Sequence, residues 1–303
     1  MRVLITGGAG FIGSAVIKHL HEKHEIFVID NLSFGTRGFI DQIEDDHFFE
    51  NDIRDRDLMF DLINRIQPET VVHLAAIHFI PYCNEHPFMS SDINITGTMN
   101  ILDACKAAGS VKKALFASTA AVYPIYDEAV TENHATGPLD VYGLSKLTGE
   151  RLCNEFNLSS NIPVIICRFF NAFGPNETNP HLIPEIQDQV NSGKRTIQLG
   201  NLDPKRDFIH TYDMARAMEL LLEAEIQGVE TFNLGRGIEY SVREIVESFE
   251  RQLGEKITIE VDPKRVRKTD RMHLLADVNK LKSFTGWNPE WSIDDGVKTL
   301  IEK

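Results

Sequence analysis

The chain of 303 residues is long enough for one large domain or two modest ones, and 42% hydrophobic with 25% charged residues is typical of globular proteins. Acidic residues outnumber Lys and Arg by 45 to 31; the net charge of −14 argues against a broad nucleic-acid-binding or membrane-binding surface, while a local basic pocket stays compatible with it. No apolar run reaches the ~18 residues of a membrane helix, and no signal peptide is recognisable. The four cysteines have no CxxC spacing, so we expect reduced thiols in the cytoplasm, without a disulfide framework or metal site.

Short apolar runs alternate with helix-like stretches through the first half of the chain. The runs are continuous rather than alternating, as in parallel strands that are covered on both faces. We therefore predict an α/β fold with a doubly wound parallel sheet, whose ligands bind beyond the carboxyl ends of the strands. The predicted strands are residues 2–6, 25–30, 70–74, 113–118 and 163–168, and the predicted helices are 11–21, 55–66, 87–108 and 141–156.

The second half of the chain is less regular. It predicts helices at 182–192 and 213–224, a strand at 231–234, and a helix that begins at Ser241 with Glu244 in a capping-box spacing. We predict a nucleotide-binding domain of residues 1–170, to which 207–235 return. A smaller C-terminal substrate-binding domain would comprise 171–206 and 236–303.

A glycine motif follows the first predicted strand. Gly7, Gly10 and Gly13 allow a tight turn, close approach of a pyrophosphate, and exposure of helix N–H groups to phosphate. The second predicted strand ends in Asp30, whose carboxylate can accept both ribose hydroxyls of an adenosine and repels a 2′-phosphate. The pattern favours a Rossmann-type fold that binds NAD rather than NADP. Arg37 is the nearest later cation, and the alternative is a glycine-rich turn without a ligand.

Asp52 admits two interpretations. It follows the next strand after residues 25–30, where a side chain can contact the adenine of a dinucleotide. Its position ahead of the helix predicted at residue 55 is equally suited to an N-cap.

Tyr142 and Lys146 are four residues apart on a predicted helix, and therefore share one face. A phenol has a pKa of about 10, which is too high for a base at neutral pH. A nearby ammonium stabilises the phenolate, and the pair can then take a proton from a hydroxyl while hydride leaves for NAD. Without the glycine motif and Asp30, the same pair would be interpreted as two exposed helical residues.

Several motifs occur in a fixed order along nearly the whole chain. They comprise residues 6–13, 30–32, 52–55, 73–76, 118–119, 142–146, 168–171, 206–210 and 267–270. In this order they resemble the extended short-chain dehydrogenase/reductase superfamily, specifically its nucleotide-sugar epimerase/dehydratase branch, similar to UDP-glucose 4-epimerase.

The resemblance implies an NAD site and assigns residues to it. The pyrophosphate would lie on the glycine motif, the adenosine ribose near Asp30, and the nicotinamide near Phe169. Lys146 would bind the nicotinamide ribose and tune Tyr142. The implied cofactor-binding residues are Gly7, Gly10, Phe11, Ile12, Gly13, Asp30, Asn31, Ser33, Gly35, Asp52, Ile53, Leu74, Ala75, Ala76, Asn94, Ser118, Tyr142, Lys146 and Phe169.

The resemblance also implies a catalytic group and a substrate site. Tyr142 would be the base, with Thr119 bonding the reacting oxygen of the sugar and Lys146 completing the group. Arg206 and Arg267 would bind the diphosphate of the substrate, because a guanidinium fork matches phosphate oxygens. The implied substrate-binding residues are His78, Thr119, Asn171, His181, Leu182, Arg206, Arg267 and Asp270.

Departures from the family pattern bear on the reaction class. The 4,6-dehydratases of this branch carry Asp-Glu where Ala120 and Ala121 stand, and a 3,5-epimerase relative carries cysteine at Ala121. Alanine can neither protonate a leaving hydroxyl nor remove a proton from carbon.

His181 stands where galactose epimerases have asparagine, and Pro124 where the family usually has glycine. His78 and Cys83 border the expected sugar position and are candidates for replacement acid or base, or for loop packing alone.

We therefore expect an NAD-dependent nucleotide-sugar 4-epimerase, with a UDP-hexose as the leading substrate type. The alternatives are a dehydratase that uses His78 or Cys83, a 4-keto-sugar nucleotide reductase, and a non-catalytic NAD-binding protein. The resemblance also implies a homodimer, through the helices predicted at 87–108 and 141–156. The composition gives no reason to expect nucleic acid or membranes as partners.

Overall fold

A seven-stranded parallel sheet forms the centre of the molecule, in a computed structural model that describes residues 1–266 and 271–301. The strand order is β10-β6-β5-β4-β1-β2-β3, and every neighbouring pair is parallel. The strands are β1 Arg2–Thr6, β2 Glu25–Asp30, β3 Phe48–Glu50, β4 Thr70–His73, β5 Lys113–Thr119, β6 Val164–Phe169, β7 Asn171–Phe173, β8 Thr196–Leu199, β9 Lys205–His210, β10 Val229–Leu234, β11 Glu239–Ser241 and β12 Thr258–Val261.

Helices cover both faces of this sheet. The first face carries α1 and α8, which pack on each other, and the second carries α2, α5 and α6. None of the helices in the described ranges has the length and apolarity needed to cross a bilayer. The helices are α1 Phe11–Leu20, α2 Arg56–Ile66, α3 Ile80–Glu85, α4 Pro87–Ser91, α5 Thr98–Ala108, α6 Val141–Ser160, α7 Leu182–Asn191, α8 Thr211–Glu223, α9 Val242–Leu253, α10 Asn279–Thr285 and α11 Ile293–Lys298.

The prediction of a doubly wound α/β fold is confirmed. The strands predicted from apolar runs in the first half agree with the observed strands to within one residue at each end. Central strands such as β4 and β6 are buried along their whole length, because helices cover both faces. The parallel order brings the carboxyl ends of β1, β2, β4, β5 and β6 to one edge.

The helix predicted over 87–108 is helical along its whole length, but its middle is not a regular α-helix. The segment divides into α4, a π-helix over Asp92–Gly97, and α5. Inside the π-helix the side chain of Asn94 bonds to backbone groups of another loop, and Gly97 lies so close to Ile53 that an added Cβ would be 2.4 Å from its Cδ1. These contacts favour a local widening of the helix over a regular turn.

The second half forms a smaller body beside the carboxyl edge of the main sheet. Strand β9 pairs with β7 in parallel and with β11 in antiparallel orientation, and β8 pairs with β12. Helices α7, α9 and α11 enclose a separate hydrophobic cluster over these strands. The predicted capping box of Ser241 and Glu244 is present at the start of α9. Strand β10 lies in the main sheet beside β6. The division into two domains stays a prediction.

Candidate active site

A cleft of about 1400 Å³ lies between the carboxyl edge of the main sheet and the smaller body. Its floor comes from the loops after β1, β2 and β4, together with the ends of β5 and β6 and the start of α6. The opposite wall comes from the start of α7, from β9 and from the segments next to them. This is the edge at which doubly wound folds bind their ligands.

The glycine loop after β1 has the geometry of a phosphate cradle. Gly7 has φ +73°, and a Cβ there would lie 2.6 Å from the backbone nitrogen of Ala75. A Cβ on Gly13 would lie 2.3 Å from the carbonyl oxygen of Gly7. Gly10 is the N-cap of α1 and brings no side chain over the helix N-terminus. Backbone N–H groups therefore face the cleft without obstruction, and these residues fit a pyrophosphate.

Asp30 lies at the end of β2 with both carboxylate oxygens held by the backbone. Oδ2 accepts a hydrogen bond from Ala9 N at 2.9 Å and Oδ1 from Leu32 N at 2.8 Å. Burial raises the pKa of Asp30 above its ordinary value, and the two backbone hydrogen bonds oppose this. Each carboxylate oxygen keeps a further lone pair, so the group can still accept hydroxyl donors from the cleft.

Asp52 is not the N-cap of α2. That position belongs to Asp55, whose side chain accepts a hydrogen bond from Leu58 N. Asp52 instead pairs with Arg54, whose Nη2 lies 2.8 Å from Oδ2, and it accepts a hydrogen bond from Asn31. The bonds from Arg54 lower the pKa of Asp52 to about 2. This ion pair forms the end of the cleft that is nearest to β3.

Thr119, Tyr142 and Lys146 all line the cleft, and Tyr142 and Lys146 are one turn apart on α6. Burial raises the pKa of Tyr142, and a hydrogen bond with the Thr119 hydroxyl opposes that rise. Burial lowers the pKa of Lys146 to about 8, and its ammonium lies 4.9 Å from the centre of the Phe116 ring. Lys146 is thus largely charged at neutral pH, although its side chain is buried.

Glycines in α6 allow this helix to approach β5, which ends at Thr119. A Cβ on Gly143 would lie 2.4 Å from the carbonyl oxygen of Ala121, and one on Gly149 2.3 Å from Cζ of Phe116. The helix therefore lies directly against β5 and the turn that follows it. Asp140 begins α6 by accepting a hydrogen bond from Gly143 N at 2.7 Å.

A buried polar network supports the floor behind Thr119. The Ser118 hydroxyl donates to Glu150, and Arg168 donates to both oxygens of Glu150 at 2.9 and 2.8 Å. Arg168 also donates to the hydroxyl of Tyr123, which in turn donates to Asn233. This network was not predictable from the sequence, because the residues that form it are far apart along the chain.

Most of the predicted site residues line this cleft. Those that do are Gly7, Gly10, Phe11, Ile12, Gly13, Asp30, Asn31, Ser33, Gly35, Asp52, Ile53, Leu74, Ala75, Ala76, His78, Ser118, Thr119, Tyr142, Lys146, Phe169, Asn171, His181, Leu182 and Arg206. Arg267 and Asp270 lie outside the described residues.

Two residues singled out from the sequence do not line the cleft. Asn94 is 1% exposed; its amide bonds to both backbone groups of Ile77 and to the Ser145 hydroxyl, so it supports the cleft wall from behind. Cys83 is fully buried, with its thiol directed at the carbonyl oxygen of Ile77. Cys83 is therefore not placed to act as an acid or base on a ligand.

The substrate side contains residues that the sequence analysis missed. Arg271, Tyr240 and Glu177 line the cleft together with Arg206. Arg206 donates to the carbonyl oxygen of Arg271 at 2.7 Å, so the two guanidinium-bearing segments are linked. Arg271 directly follows the motif at 267–270, and this proximity was the signal that could have found it.

Ala120 and Ala121 also line the cleft, next to Thr119. Thr119 Oγ1 accepts a hydrogen bond from Ala121 N at 3.1 Å, which fixes the short helical turn that follows β5. A carboxylate at either position would border the cleft. This sequence has alanine at both, so neither position supplies an acid or a base to a bound ligand.

Comparison with known proteins identifies the family. A model of the GDP-mannose 4,6 dehydratase family matches residues 4–300. The UDP-glucose 4-epimerase of Corynebacterium glutamicum is 33% identical over 320 residues, which span 100% of this chain and 94% of that protein. The chain belongs to the nucleotide-sugar epimerase/dehydratase family of extended short-chain dehydrogenases/reductases. The resemblance drawn from the motifs is confirmed, and the protein is an enzyme of this epimerase/dehydratase family.

Solved structures of the epimerase/dehydratase family agree with this assignment. The UDP-glucose 4-epimerase of Bifidobacterium longum, solved with NAD⁺ and UDP, aligns with a TM-score of 0.90 at 27% identity, covering 99% of this chain and 97% of that one. The UDP-glucuronic acid 4-epimerase of Bacillus cereus, solved with UDP-glucuronic acid and NAD, aligns with a TM-score of 0.89 at 27% identity, with the same coverage. The family thus includes epimerases that are named for different sugars, and its name is that of a dehydratase.

Proposed function

We propose that the protein is an NAD-dependent nucleotide-sugar 4-epimerase. The observation that carries the proposal is the composition of the cleft around Thr119. Thr119, Tyr142 and Lys146 are in place, whereas the adjacent cleft positions are Ala120 and Ala121. Elimination of water needs an acid for the departing hydroxide and a base for a carbon-bound proton, and alanine supplies neither. Transfer of hydride from and to one carbon needs neither group.

The cleft fits NAD, and the solved relatives contain it. The glycine loop at the start of α1 would hold the pyrophosphate, and Asp30 the adenosine ribose. The carboxylate favours NAD, because a 2′-phosphate would meet like charge within a few ångström. When bound, NAD accepts hydride, returns it, and places a positively charged ring beside the reacting sugar.

The side chains of the cleft perform the proton transfers. Tyr142 takes the proton of the sugar 4-hydroxyl, while the Thr119 hydroxyl holds the same oxygen in line. Because burial raises the pKa of the phenol, the Lys146 ammonium must stabilise the phenolate during this step. The resulting 4-keto sugar turns in the cleft and presents its other face, after which Tyr142 returns the proton.

The substrate is a nucleoside diphosphate sugar, for which a UDP-hexose is the leading candidate. Arg206 lies on the wall formed by the smaller body, where a guanidinium can pair with a diphosphate. Asn171, at the start of β7, faces the same space and can bond to phosphate or sugar oxygens. The relatives act on UDP-glucose and UDP-glucuronic acid, which supports uridine as the base.

A panel of sugar nucleotides in D₂O tests the reaction class. We expect an epimer of unchanged mass, formed without added reductant and without deuterium at C5. A product lighter by one water, or deuterium at C5, would contradict the epimerase proposal and support a dehydratase. Turnover only with added NADH or NADPH would support a 4-keto-sugar reductase. Binding of NAD without turnover of any sugar would support the non-catalytic alternative.

One observation favours the dehydratase as the second candidate. His78 lines the cleft, and burial lowers its pKa to about 4, so its imidazole is neutral at pH 7 and able to accept a proton. In a dehydratase, His78→Asn would abolish incorporation of deuterium at C5. In the proposed epimerase no such incorporation occurs in either protein.

We further propose that two copies associate through α4, α5 and α6. Phe88 is 83% exposed, and Met99 and Leu144 are 45% and 57% exposed on neighbouring helices, a concentration of apolar surface typical of an interface. The family resemblance supports a second copy of the chain as the partner. Light scattering should show a dimer that Phe88→Glu with Met99→Glu converts to monomer. Phe284→Glu, on α10, should leave the dimer intact.

A further inference from the structure

Three metal-ligating side chains meet at the rim of the cleft. His78 belongs to the loop after β4, whereas Glu177 and His181 belong to the segment 174–181 that precedes α7. A ligand atom from each lies within 4.8 Å of the other two. His181 Nδ1 is 3.4 Å from Glu177 Oε2, and the two imidazole ring centres are 5.7 Å apart. We propose that His78, Glu177 and His181 form a binding site for a divalent transition-metal ion of the Zn²⁺ type, a site that goes beyond the proposed epimerase function.

The donor set suits such an ion. Two imidazoles and one carboxylate form the protein ligands of many zinc and non-haem iron sites that keep open positions. All three residues are half-buried and line the cleft.

The spacing lies close to what a metal requires. With metal–nitrogen distances of about 2.0 Å, tetrahedral ligand atoms are about 3.3 Å apart. The separation of His181 Nδ1 and Glu177 Oε2 already has this length at 3.4 Å. The ligand atom of His78, which is half-buried, lies within 4.8 Å of the other two.

Asn179 orients two of the three ligands. Its backbone N–H donates to Glu177 Oε1 at 3.0 Å, which leaves Oε2 directed at His181. Its side-chain amide lies 3.2 Å from His78 Nε2, so that Nδ1 is the nitrogen available to a metal. When Nδ1 binds the ion, the ring proton moves to Nε2, and a flip of the amide presents Oδ1 to it. Such outer contacts commonly hold histidine ligands in place.

A metal at this position would add to the contacts that the segment 174–181 makes with loops on the other side of the cleft. The segment 174–181 already contacts the start of α1 through Asn176 and Ser14, and the loop after β2 through Thr178 and Phe34. The metal would add a second link to the loop after β4, beside the contact between Asn179 and His78. His78, Glu177 and His181 all line the cleft, so open coordination positions of the ion would face a bound ligand.

The test uses the purified chain after dialysis against EDTA. We expect calorimetric titration with Zn²⁺ to give one ion per chain, and Co²⁺ to give the intense visible absorption of a site with fewer ligands than its hydrated ion. His78→Asn, Glu177→Gln and His181→Asn should each abolish both signals. Asn179→Ala should weaken Zn²⁺ binding by about 10- to 100-fold, as is usual for loss of an outer partner.

The matched control lies on the other side of the molecule. His24, Glu219 and Glu223 form a second group with similar spacing, and His24→Asn should leave the Co²⁺ spectrum unchanged. Thermal unfolding monitored by circular dichroism confirms that each variant is folded. The proposal is wrong if the parent protein shows no saturable Zn²⁺ binding, if folded His78→Asn and His181→Asn retain the Co²⁺ spectrum, or if only His24→Asn loses it. None of these outcomes depends on enzyme activity, so the epimerase proposal is tested separately.

Discussion

Glu150 in α6 and Arg168 in β6 form a bidentate ion pair beneath the cleft, with distances of 2.9 and 2.8 Å. Both side chains are almost fully buried, at 4% and 6% exposure. A buried pair of this kind adds little net stability, but loss of one partner leaves the other charge uncompensated. The pair also receives the Ser118 hydroxyl, so it fixes the residue that directly precedes Thr119.

Glu150→Gln should lower the free energy of unfolding by about 3–5 kcal/mol, because Arg168 would remain charged and buried. The measurement is urea unfolding at pH 7. The double variant with Arg168→Gln should cost less than the sum of the two single variants, since both charges are then gone. Additive costs would show that the ion pair is not the source of the effect.

Tyr142→Phe should reduce turnover by about 10²- to 10⁴-fold, the usual effect of losing a general base. The ring and its packing remain, so calorimetric affinity for the sugar nucleotide should change little. Thr119→Val, which removes the neighbouring hydroxyl but keeps the shape, serves as the comparison and should slow turnover as well. Parental turnover in Tyr142→Phe would assign the proton transfer to another group, with His78 the next candidate.

Asp30→Asn should weaken NAD binding, because it removes charge-assisted hydrogen bonds to the ribose that are worth about 1.5–3 kcal/mol. The difference in affinity between NAD and NADP should therefore become smaller. Asparagine keeps the shape of the side chain and can still accept a hydrogen bond from the backbone at the end of β2. Fluorescence titration with both dinucleotides measures the two affinities. Equal affinity of the parent protein for NAD and NADP would contradict the role of Asp30.

Stability should fall as the pH drops below 6.5, because the fold keeps buried histidines neutral. Burial lowers the pKa of His73 to about 3 and that of His210 to about 4, from an ordinary 6.5. Between these values and 6.5 the unfolded chain binds protons that the folded chain does not, so the stabilisation is present above 6.5 and is lost as the pH falls. Each such histidine contributes a slope of about 1.4 kcal/mol per pH unit.

Urea unfolding at pH 4.5, 5.5 and 7 measures this slope. His73→Asn should reduce the slope by the contribution of one histidine, even though it loses the hydrogen bonds to Thr6 and Thr98. An unaltered slope in His73→Asn would show that another group causes the loss of stability in acid.

The central sheet and the dinucleotide half of the candidate site were predictable from local sequence. Apolar runs predicted strands such as β1 and β6, because burial on both faces requires continuous hydrophobic residues. The glycine spacing and Asp30 predicted a phosphate cradle with a ribose acceptor, because the chemistry depends on a few adjacent positions. Tyr142 and Lys146 were predictable for the same reason, since helical periodicity alone places them on one face.

Tertiary structure decided which of the remaining candidates reach the cleft. The periodicity of residues 87–108 predicted one helix, but Asn94 and Gly97 meet partners from other loops and convert its middle to a π-helix. For the same reason Asn94 supports the wall rather than lining it, and Cys83 is turned into the core. No local pattern encodes a contact with a distant backbone carbonyl.

The sequence by itself determined the fold class and the family, because each depends on short-range spacing or on motifs in a fixed order, and the same spacing and motifs predicted Thr119, Tyr142 and Lys146 as the catalytic group. The pairing of Glu150 with Arg168 and the meeting of His78 with Glu177 and His181 were decided only by the tertiary structure. His78 and Asn179, for example, are 101 positions apart and are brought to 3.2 Å by the crossing of two loops at the sheet edge. Such contacts depend on how the smaller body packs over the carboxyl ends of the strands, and this packing is set by the whole hydrophobic core rather than by any one segment.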